Sequence, residues 1–583
     1  MIRAQRHDSL RPALVITASL ALAFLGLGPL PAGAQSSPTI GSPNTVTAAP
    51  GVPRPPTTPC AVALFTNQQF ADFNPKVFDY TPPADCPGPW AKVVLEVDLS
   101  IDAGNQFDRT AQIALGGVNI YFGTTAEPYS NFGPSWHVER DLTDYSALFT
   151  TPQSGNANLG NLVNSTFTSV LTGTATLQFY PPSAAAPAPR TPDLVLPLPA
   201  NTPPGSTAFV PGGVTLLASG SDVLEQTFNL PANVESAYLD VIAQSQNDDE
   251  FWYTCVPDTD SKLLESCGGT AFRETEVTLD GRAAGVAPVR PWIFTGGLDP
   301  ELWAPLPGVQ TLDFEPFRVD LTPFAGVLSN GSPHKVGISV FNANNYFQVS
   351  GTLLLFLDSG SAQVTGAVTR NTLSSAPVPH ITQSIAQKSD GSVSALVATS
   401  EERSFTISGF VNTSHGRVQT TLDQLVTFSN RQVFSLTASA FVQDITQGTE
   451  VSTQTRTQDG SSATVAARHF VYPLTVDIGV AFNSDGSGSQ TTSISQTFEN
   501  DGSHIGGGTR PLFDSTTDTE KTSDTLLFNA AGQITGFQGR SSTQSFFEES
   551  TSGLCFSRQL ASSAGLLTSI ADGKGCTGGV NSF

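Results

Sequence analysis

The sequence predicts an all-β protein built from sandwiches, and three observations carry that expectation. Apolar and polar residues alternate at period two, helical periodicity is nearly missing, and 52 Gly and 42 Pro punctuate short strand-like runs. In Val93 to Asp102, Val93, Leu95, Val97, Leu99 and Ile101 fall on one face and Glu96, Asp98, Ser100 and Asp102 on the other. Gly116-Gly117 interrupts the apolar run Ile113 to Phe122, and Asp280-Gly281 divides Thr278 to Arg282; both read as hairpin turns. Val336, Ile338 and Val340 alternate, and Leu353 to Leu357 reads as a fully apolar strand.

The chain opens on an address. Arg3, Arg6 and Arg11 precede an apolar core from Ala13 to Leu25, and Ala32-Gly33-Ala34 is a small-residue cleavage site, so residues 1–34 read as a signal peptide. That core is too short to span a bilayer, and no later segment is long enough. The expectation is an exported protein, secreted or periplasmic, with no membrane association after cleavage. Residues 35–56, rich in Pro, Thr and Ser, read as a flexible segment.

Roughly 550 residues remain, enough for three to four domains. A first β-sandwich is expected at 57–182, a Pro/Ala-rich linker at 183–212 and a second β-sandwich at 213–360. Beyond these the texture turns to Ser, Thr, Gln and Gly, and 365–583 reads as a C-terminal β-rich domain with one helical turn near Leu560 to Ile570.

Loss of a leader holding three Arg and Asp8 takes the formal charge from −23 to about −25. A nucleic-acid partner requires basic surface, and no basic cluster exists here. Six cysteines in an exported chain, without C-x-x-C or a Cys/His cluster, point to disulfides and not to metal. Several connectivities are open. Nearest-neighbour pairing (Cys60 with Cys86, Cys255 with Cys267, Cys555 with Cys576) is expected because each bridge then closes a loop within one domain.

The chemistry-bearing residues are carboxylates beside arginine and aromatics at strand ends. Asp108 next to Arg109 is expected to be held ionised, which suits a base or a water-orienting group. Asp248-Asp249-Glu250 crowds three acids before Phe251-Trp252-Tyr253, and crowding raises a carboxyl pKa toward that of a general acid. In Phe272-Arg273-Glu274, Arg273 could clamp a carbonyl oxygen or merely pair with Glu274. The bland alternatives are surface ion pairs and core aromatics.

At these positions the chain resembles the peptide N-glycanase A family. The resemblance rests on Phe107-Asp108-Arg109, Gly123-Thr124-Thr125-Ala126-Glu127-Pro128 and Asp141-Leu142-Thr143-Asp144-Tyr145. It continues in Asn247-Asp248-Asp249-Glu250-Phe251-Trp252-Tyr253, Phe272-Arg273-Glu274, Thr295-Gly296-Gly297 with Leu302-Trp303, and Ser414-His415-Gly416, all in family order. It implies hydrolysis of the β-aspartylglucosaminyl amide of N-glycosylated peptides and proteins, with no cofactor and no metal. A more distant likeness to bacterial peptide N-glycanase F implies two jelly rolls with a groove between them. There the essential aspartate lies in a Trp-Asp-Arg segment, which Phe107-Asp108-Arg109 resembles.

On this reading Asp108 is the base, Arg109 or Arg273 steadies charge on the amide oxygen, and Glu250 or Glu274 supplies the second acid. Glu127 and Asp249 contact substrate, while Trp136, Trp252 and Trp303 stack on sugar. The two assisting glutamates of peptide N-glycanase F have no counterpart in Pro181-Pro182 or in Gly268-Gly269-Thr270-Ala271. An acidic working range, roughly pH 2.5 to 6, follows from the charge and a site made of carboxylates. The rivals are a non-catalytic carbohydrate-binding sandwich and a glycoside hydrolase cutting within chitobiose. The sequence leaves the oligomeric state open.

Overall fold

The computed structural model describes residues 38–199, 212–508 and 510–582. The signal peptide expected at 1–34 lies outside them. Eight strands make the first unit: β1 (Cys60–Phe70), β2 (Lys76–Tyr80), β3 (Lys92–Ile101), β4 (Thr110–Leu115), β5 (Val118–Thr124), β6 (Ser135–Asp141), β7 (Gln153–Leu159) and β8 (Leu171–Tyr180). They form two antiparallel sheets, ordered β1-β8-β3-β6 and β2-β7-β4-β5, which is a jelly roll. The alternation read from the sequence is the cause: Val93, Leu95, Val97, Leu99 and Ile101 of β3 are all buried in the core between the sheets.

The second unit repeats this wiring. Its strands are β9 (Leu194–Pro197), β10 (Thr215–Leu217), β11 (Leu224–Phe228), β12 (Val234–Ser245), β13 (Glu274–Leu279), β14 (Arg282–Pro288), β15 (Phe317–Asp320), β16 (His334–Phe341) and β17 (Phe347–Leu357). The sheets run β10-β17-β12-β15 and β11-β16-β13-β14, the first unit's order shifted by nine, with β9 added beside β17. Asp280 and Gly281 both take positive φ and close the β13–β14 hairpin, as their sequence signals.

The C-terminal region is one antiparallel sheet of eleven strands, from β18 (Thr365–Asn371) and β19 (His380–Gln387) to β20 (Val393–Thr413) and onward. The rest are β21 (Gly416–Thr437), β22 (Ala440–Asp459), β23 (Ser462–Phe482), β24 (Gly488–Gly506), β25 (Leu512–Phe528), β26 (Ile534–Ser550), β27 (Cys555–Ser563) and β28 (Leu566–Asp572). Buried and exposed residues alternate along β20 and β21, so one face is wet. The other face packs Phe405, Ile407, Leu422, Val426 and Phe428 into the core of the second sandwich.

Three expectations need correction. Residues 38–56 are not a free tether: Gly41 N donates to Leu567 O at 2.7 Å, Val46 N to Pro305 O at 3.0 Å and Ala48 N to Gln544 Oε1 at 2.7 Å. Arg54 then pairs with Glu96 at 2.7 Å and Glu139 at 2.8 Å. A proline-rich segment satisfies its few N–H groups on neighbours, and this one straps all three units together. The 183–212 stretch contains β9, because Leu194-Val195-Leu196 finds an open edge on β17. Leu560 to Ile570 is not helical. It is the β27–β28 hairpin, with Ala564 and Gly565 at positive φ, since an apolar run this short does not reveal its period.

Candidate active site

All three disulfides pair nearest neighbours: Cys60–Cys86, Cys255–Cys267 and Cys555–Cys576. The second ties off the turn that follows β12, which holds Asp248 to Tyr253.

Asp108 and Arg109 lie just before β4, at the end of the connection from β3. Glu127 follows β5, the hairpin partner of β4, so a strand pair carries both carboxyls to one end of the sheet. The Asp108 N–H donates to Glu127 Oε1 at 3.1 Å. The long loop 289–316, between β14 and β15 of the second sandwich, then closes over them. It is pinned to β5 and its exit: Thr124 N donates to Thr311 O at 2.9 Å, Phe314 N to Phe122 O at 2.7 Å and Thr295 Oγ1 to Thr125 O at 2.6 Å. Gln246, at the end of β12, adds Nε2 to Thr110 Oγ1 at 2.9 Å.

Gly296 sits at the tightest point of this junction. A methyl group built on it would fall 2.7 Å from Asp108 Oδ1 and closer still to Glu127 Oε1, so only glycine fits with both carboxyls in place. The bare backbone can therefore lie close against the Asp108 carboxyl. Burial drives the Asp108 carboxyl up to about 6; Arg109, the Gly296 N–H and the Thr124 hydroxyl pull the other way without overcoming it. This corrects the expectation that Arg109 holds Asp108 low. Arg109 has Nη2 on Gln106 Oε1 at 2.6 Å, and its buried Nε has no hydrogen-bond partner among the described residues.

The other sequence candidates do not join this pair. Asp249 and Arg273 form an ion pair with no exposed side-chain surface: Arg273 Nε and Nη2 reach Asp249 Oδ1 at 2.9 and 2.8 Å. Asn344 N and Asn345 N take Asp249 Oδ2 at 2.6 and 2.9 Å, and Arg273 Nη1 donates to backbone carbonyls. Neither can reach a substrate amide; together they fix the turn after β12. Glu274 is buried against Arg403 of β20, which removes it from the site, and burial raises it to about 7.

Trp252, Trp303 and Trp136 are core residues, not sugar platforms. Trp252 is fully buried against Phe428 and Tyr253, and Trp303 Nε1 donates to Gly297 O at 2.9 Å. Trp136 is buried on β6 beside a cavity of about 420 Å³ whose lining includes neither Asp108 nor Glu127. Glu250 is half-buried on the turn after β12, near Tyr253 and Tyr346. The aromatic side chain open beside Asp108 is Phe107, 48% exposed and leaning on Phe167 with ring centres 5.2 Å apart.

Two features escaped the sequence reading: the part played by Gly296, and the Phe107–Phe167 pair. A Gly-Gly following Thr295 was the available signal for the first; loop 161–169 has none for the second. Among the described residues no group of three His, Cys, Asp or Glu could hold a metal ion, and no helix is long and apolar enough to cross a membrane.

Residues 49–374 match the family described as peptide N-acetyl-beta-D-glucosaminyl asparaginase amidase A, and residues 397–474 match the PNGase_A C-terminal domain. The chain is 31% identical over 397 residues to peptide-N4-(N-acetyl-beta-glucosaminyl)asparagine amidase A of Prunus dulcis, covering 65% of this chain and 67% of that protein. Among solved structures, PNGase F, a glycosylasparaginase from Flavobacterium meningosepticum, aligns at 13% identity and a TM-score of 0.35, over 52% of this chain and 97% of its own. PNGF-II aligns at 14% identity and the same score, over 51% of this chain and 65% of its own.

Proposed function

Since the chain belongs to the peptide N-acetyl-beta-D-glucosaminyl asparaginase amidase A family, we propose that it is an exported peptide:N-glycanase. It hydrolyses the amide between the asparagine side chain and the first GlcNAc, releasing a glycosylamine and leaving aspartate. The observation that carries this reading is the Asp108–Glu127 pair under Gly296, where the two sandwiches meet inside the matched region.

Amide hydrolysis needs a water made nucleophilic, a donor for the oxygen that gains charge, and a proton for the departing nitrogen. Asp108, when ionised, orients and deprotonates the water. Arg109, half-buried beside Asp108, steadies the charge that gathers on the carbonyl oxygen with its guanidinium. Water oxygen bonds to the amide carbon, the C–N bond breaks, and a proton passes from the second carboxyl to nitrogen. Two carboxyls held this close can divide the base and acid roles between them. Glu127 is placed better than Glu250 to be that second carboxyl, because it touches the Asp108 backbone. With Asp108 near 6, its base form prevails only above that value, so the working range opens at the top of the acidic window suggested by the sequence.

Mass spectrometry of one N-glycopeptide after incubation with the pure protein tests the reading. Asparagine converted to aspartate supports it; a residual GlcNAc on asparagine means a glycoside hydrolase, and an unchanged peptide means a binding protein. Asp108→Asn removes charge but not volume and is expected to abolish conversion at an unchanged melting temperature.

A further inference from the structure

The loop that covers Asp108 is held from behind by a strand whose inward face is acidic. On β25, Asp518, Glu520 and Asp524 all point away from solvent, each no more than 5% exposed. Neither carboxylate oxygen of Glu520 has a hydrogen-bond partner among the described residues. Glu520 lies between Gln496 of β24 and Gln544 of β26, both neutral and both engaged: Gln496 Nε2 donates to Pro291 O at 2.8 Å and Gln544 Nε2 to Asp518 Oδ1 at 3.1 Å.

From the loop, Asp299 is fully buried, its Oδ2 without a hydrogen-bond partner among the described residues, and Glu301 faces Arg540 of β26. The remaining charges nearby are Glu315 on the loop, Glu548 on β26 and Arg290. Arg290 Nη1 is taken up by Gln310 Oε1 at 2.7 Å and Glu315 O at 3.0 Å. Arg540 is committed to Glu301. Lys521 is on the exposed face. Charge on Asp299, Glu520 and Asp524 would thus stand in a dry seam with one already-paired cation beside it, an expensive state that protonation removes.

The same seam fastens the loop. Thr522 Oγ1 donates to Leu302 O at 2.9 Å, Gln490 Nε2 to Leu298 O at 3.2 Å, and Val309 N to Gln496 Oε1 at 3.0 Å. Leu298 and Leu302 flank Asp299, and Asp299 is three residues from Gly296.

We propose that Asp299, Asp518, Glu520 and Asp524 form a proton-sensitive seam that holds loop 289–316 on the C-terminal sheet, so that protonated carboxyls keep Gly296 seated on the Asp108–Glu127 pair and their ionisation releases it. Burial raises Asp518 and Asp299 to about 7 and pushes Glu520 well above the usual carboxylate range. A carboxyl raised on folding stabilises the fold fully below its unfolded value, and that contribution is lost as pH rises through the folded one. The seam is therefore tight in acid and loosens through neutrality. Its link to catalysis rests on the function proposed above; the loosening itself does not.

The test is hydrogen exchange of loop 289–316 in the full chain at pH 5 and pH 8, corrected for intrinsic rates, beside Glu520→Gln and Asp524→Asn. The parent is expected to lose at least about tenfold protection in the loop at pH 8. Glu520→Gln, which keeps shape and removes the charge, should retain most of it. Asp524→Asn serves if Glu520→Gln fails to fold, and Lys521→Gln on the wet face should behave as the parent. Equal loop protection at the two pH values, or identical loss in parent and Gln variant, overturns the seam. Retained loop response with no deglycosylation at any pH refutes only the proposed function.

Discussion

Gly296→Ala isolates the site from the fold that carries it. The added methyl would lie 2.7 Å from Asp108 Oδ1 and inside contact distance of Glu127 Oε1, against an ordinary carbon–oxygen approach above 3 Å. Both obstacles are tips of side chains that can swing, so the structural cost sits near the low end of overpacking, about 1 kcal/mol. The chemical cost is larger. Moving Asp108 by an ångström forfeits an aligned base, an effect worth about a hundredfold in rate. Gly297→Ala provides the contrast. Its methyl would meet Ile293 Cγ2 and Phe294 O at 3.1 Å and Phe251 Cε1 at 3.4 Å, and no carboxyl. The expected result is a fall of about a hundredfold or more in kcat/KM for Gly296→Ala with a small shift in melting temperature, and the reverse ordering for Gly297→Ala. The assay is glycopeptide conversion read by mass spectrometry alongside thermal melts. Wild-type turnover in a folded Gly296→Ala protein would refute the arrangement, and so would parallel losses in both variants that track unfolding.

A pH profile of kcat/KM should rise with unit slope below about 6, where Asp108 must lose its proton to act as base; a flat kcat/KM from pH 3 to 6 contradicts that assignment. Arg273→Ala leaves Asp249 buried without its cation and should cost about 3–5 kcal/mol in denaturant unfolding. The protein that remains folded should keep its kcat, whereas a catalytic Arg273 would show a rate loss at unchanged stability. Trp252→Ala should likewise destabilise by about 3–5 kcal/mol without raising KM, since the ring is in the core; a selective rise in KM would restore it as a sugar platform.

Much of this was legible residue by residue where the signal is local. Period-two alternation in Val93 to Ile101 determined which face of β3 is buried, because a strand has only two faces and water rejects the apolar one. Asp280-Gly281 determined a hairpin, because few residues tolerate left-handed backbone. An even cysteine count without metal-ligand spacing, together with short separations, pointed to the disulfides. The sequence singled out Asp108 beside Arg109, and Glu127 within a family segment as a substrate contact; that one strand pair carries the two together is a matter of the fold.

What the sequence could not decide is burial at long range. Asp249-Glu250-Phe251-Trp252 and Phe272-Arg273-Glu274 look as suited to a site as Phe107-Asp108-Arg109, and their charges and rings are the same in kind. Only the packing of β20 and β21 on the second sandwich sends Trp252 and Glu274 inward. Only the path of loop 289–316 puts a glycine from one sandwich on two carboxyls of the other. The sign of the Asp108 shift belongs to the same class: the neighbouring Arg109 is visible in the sequence, but the desolvation that outweighs it is made by chain nearly two hundred residues away. Local periodicity is set by neighbours along the chain and can be read there, whereas desolvation is set by whatever folds over a group, and that is decided in three dimensions.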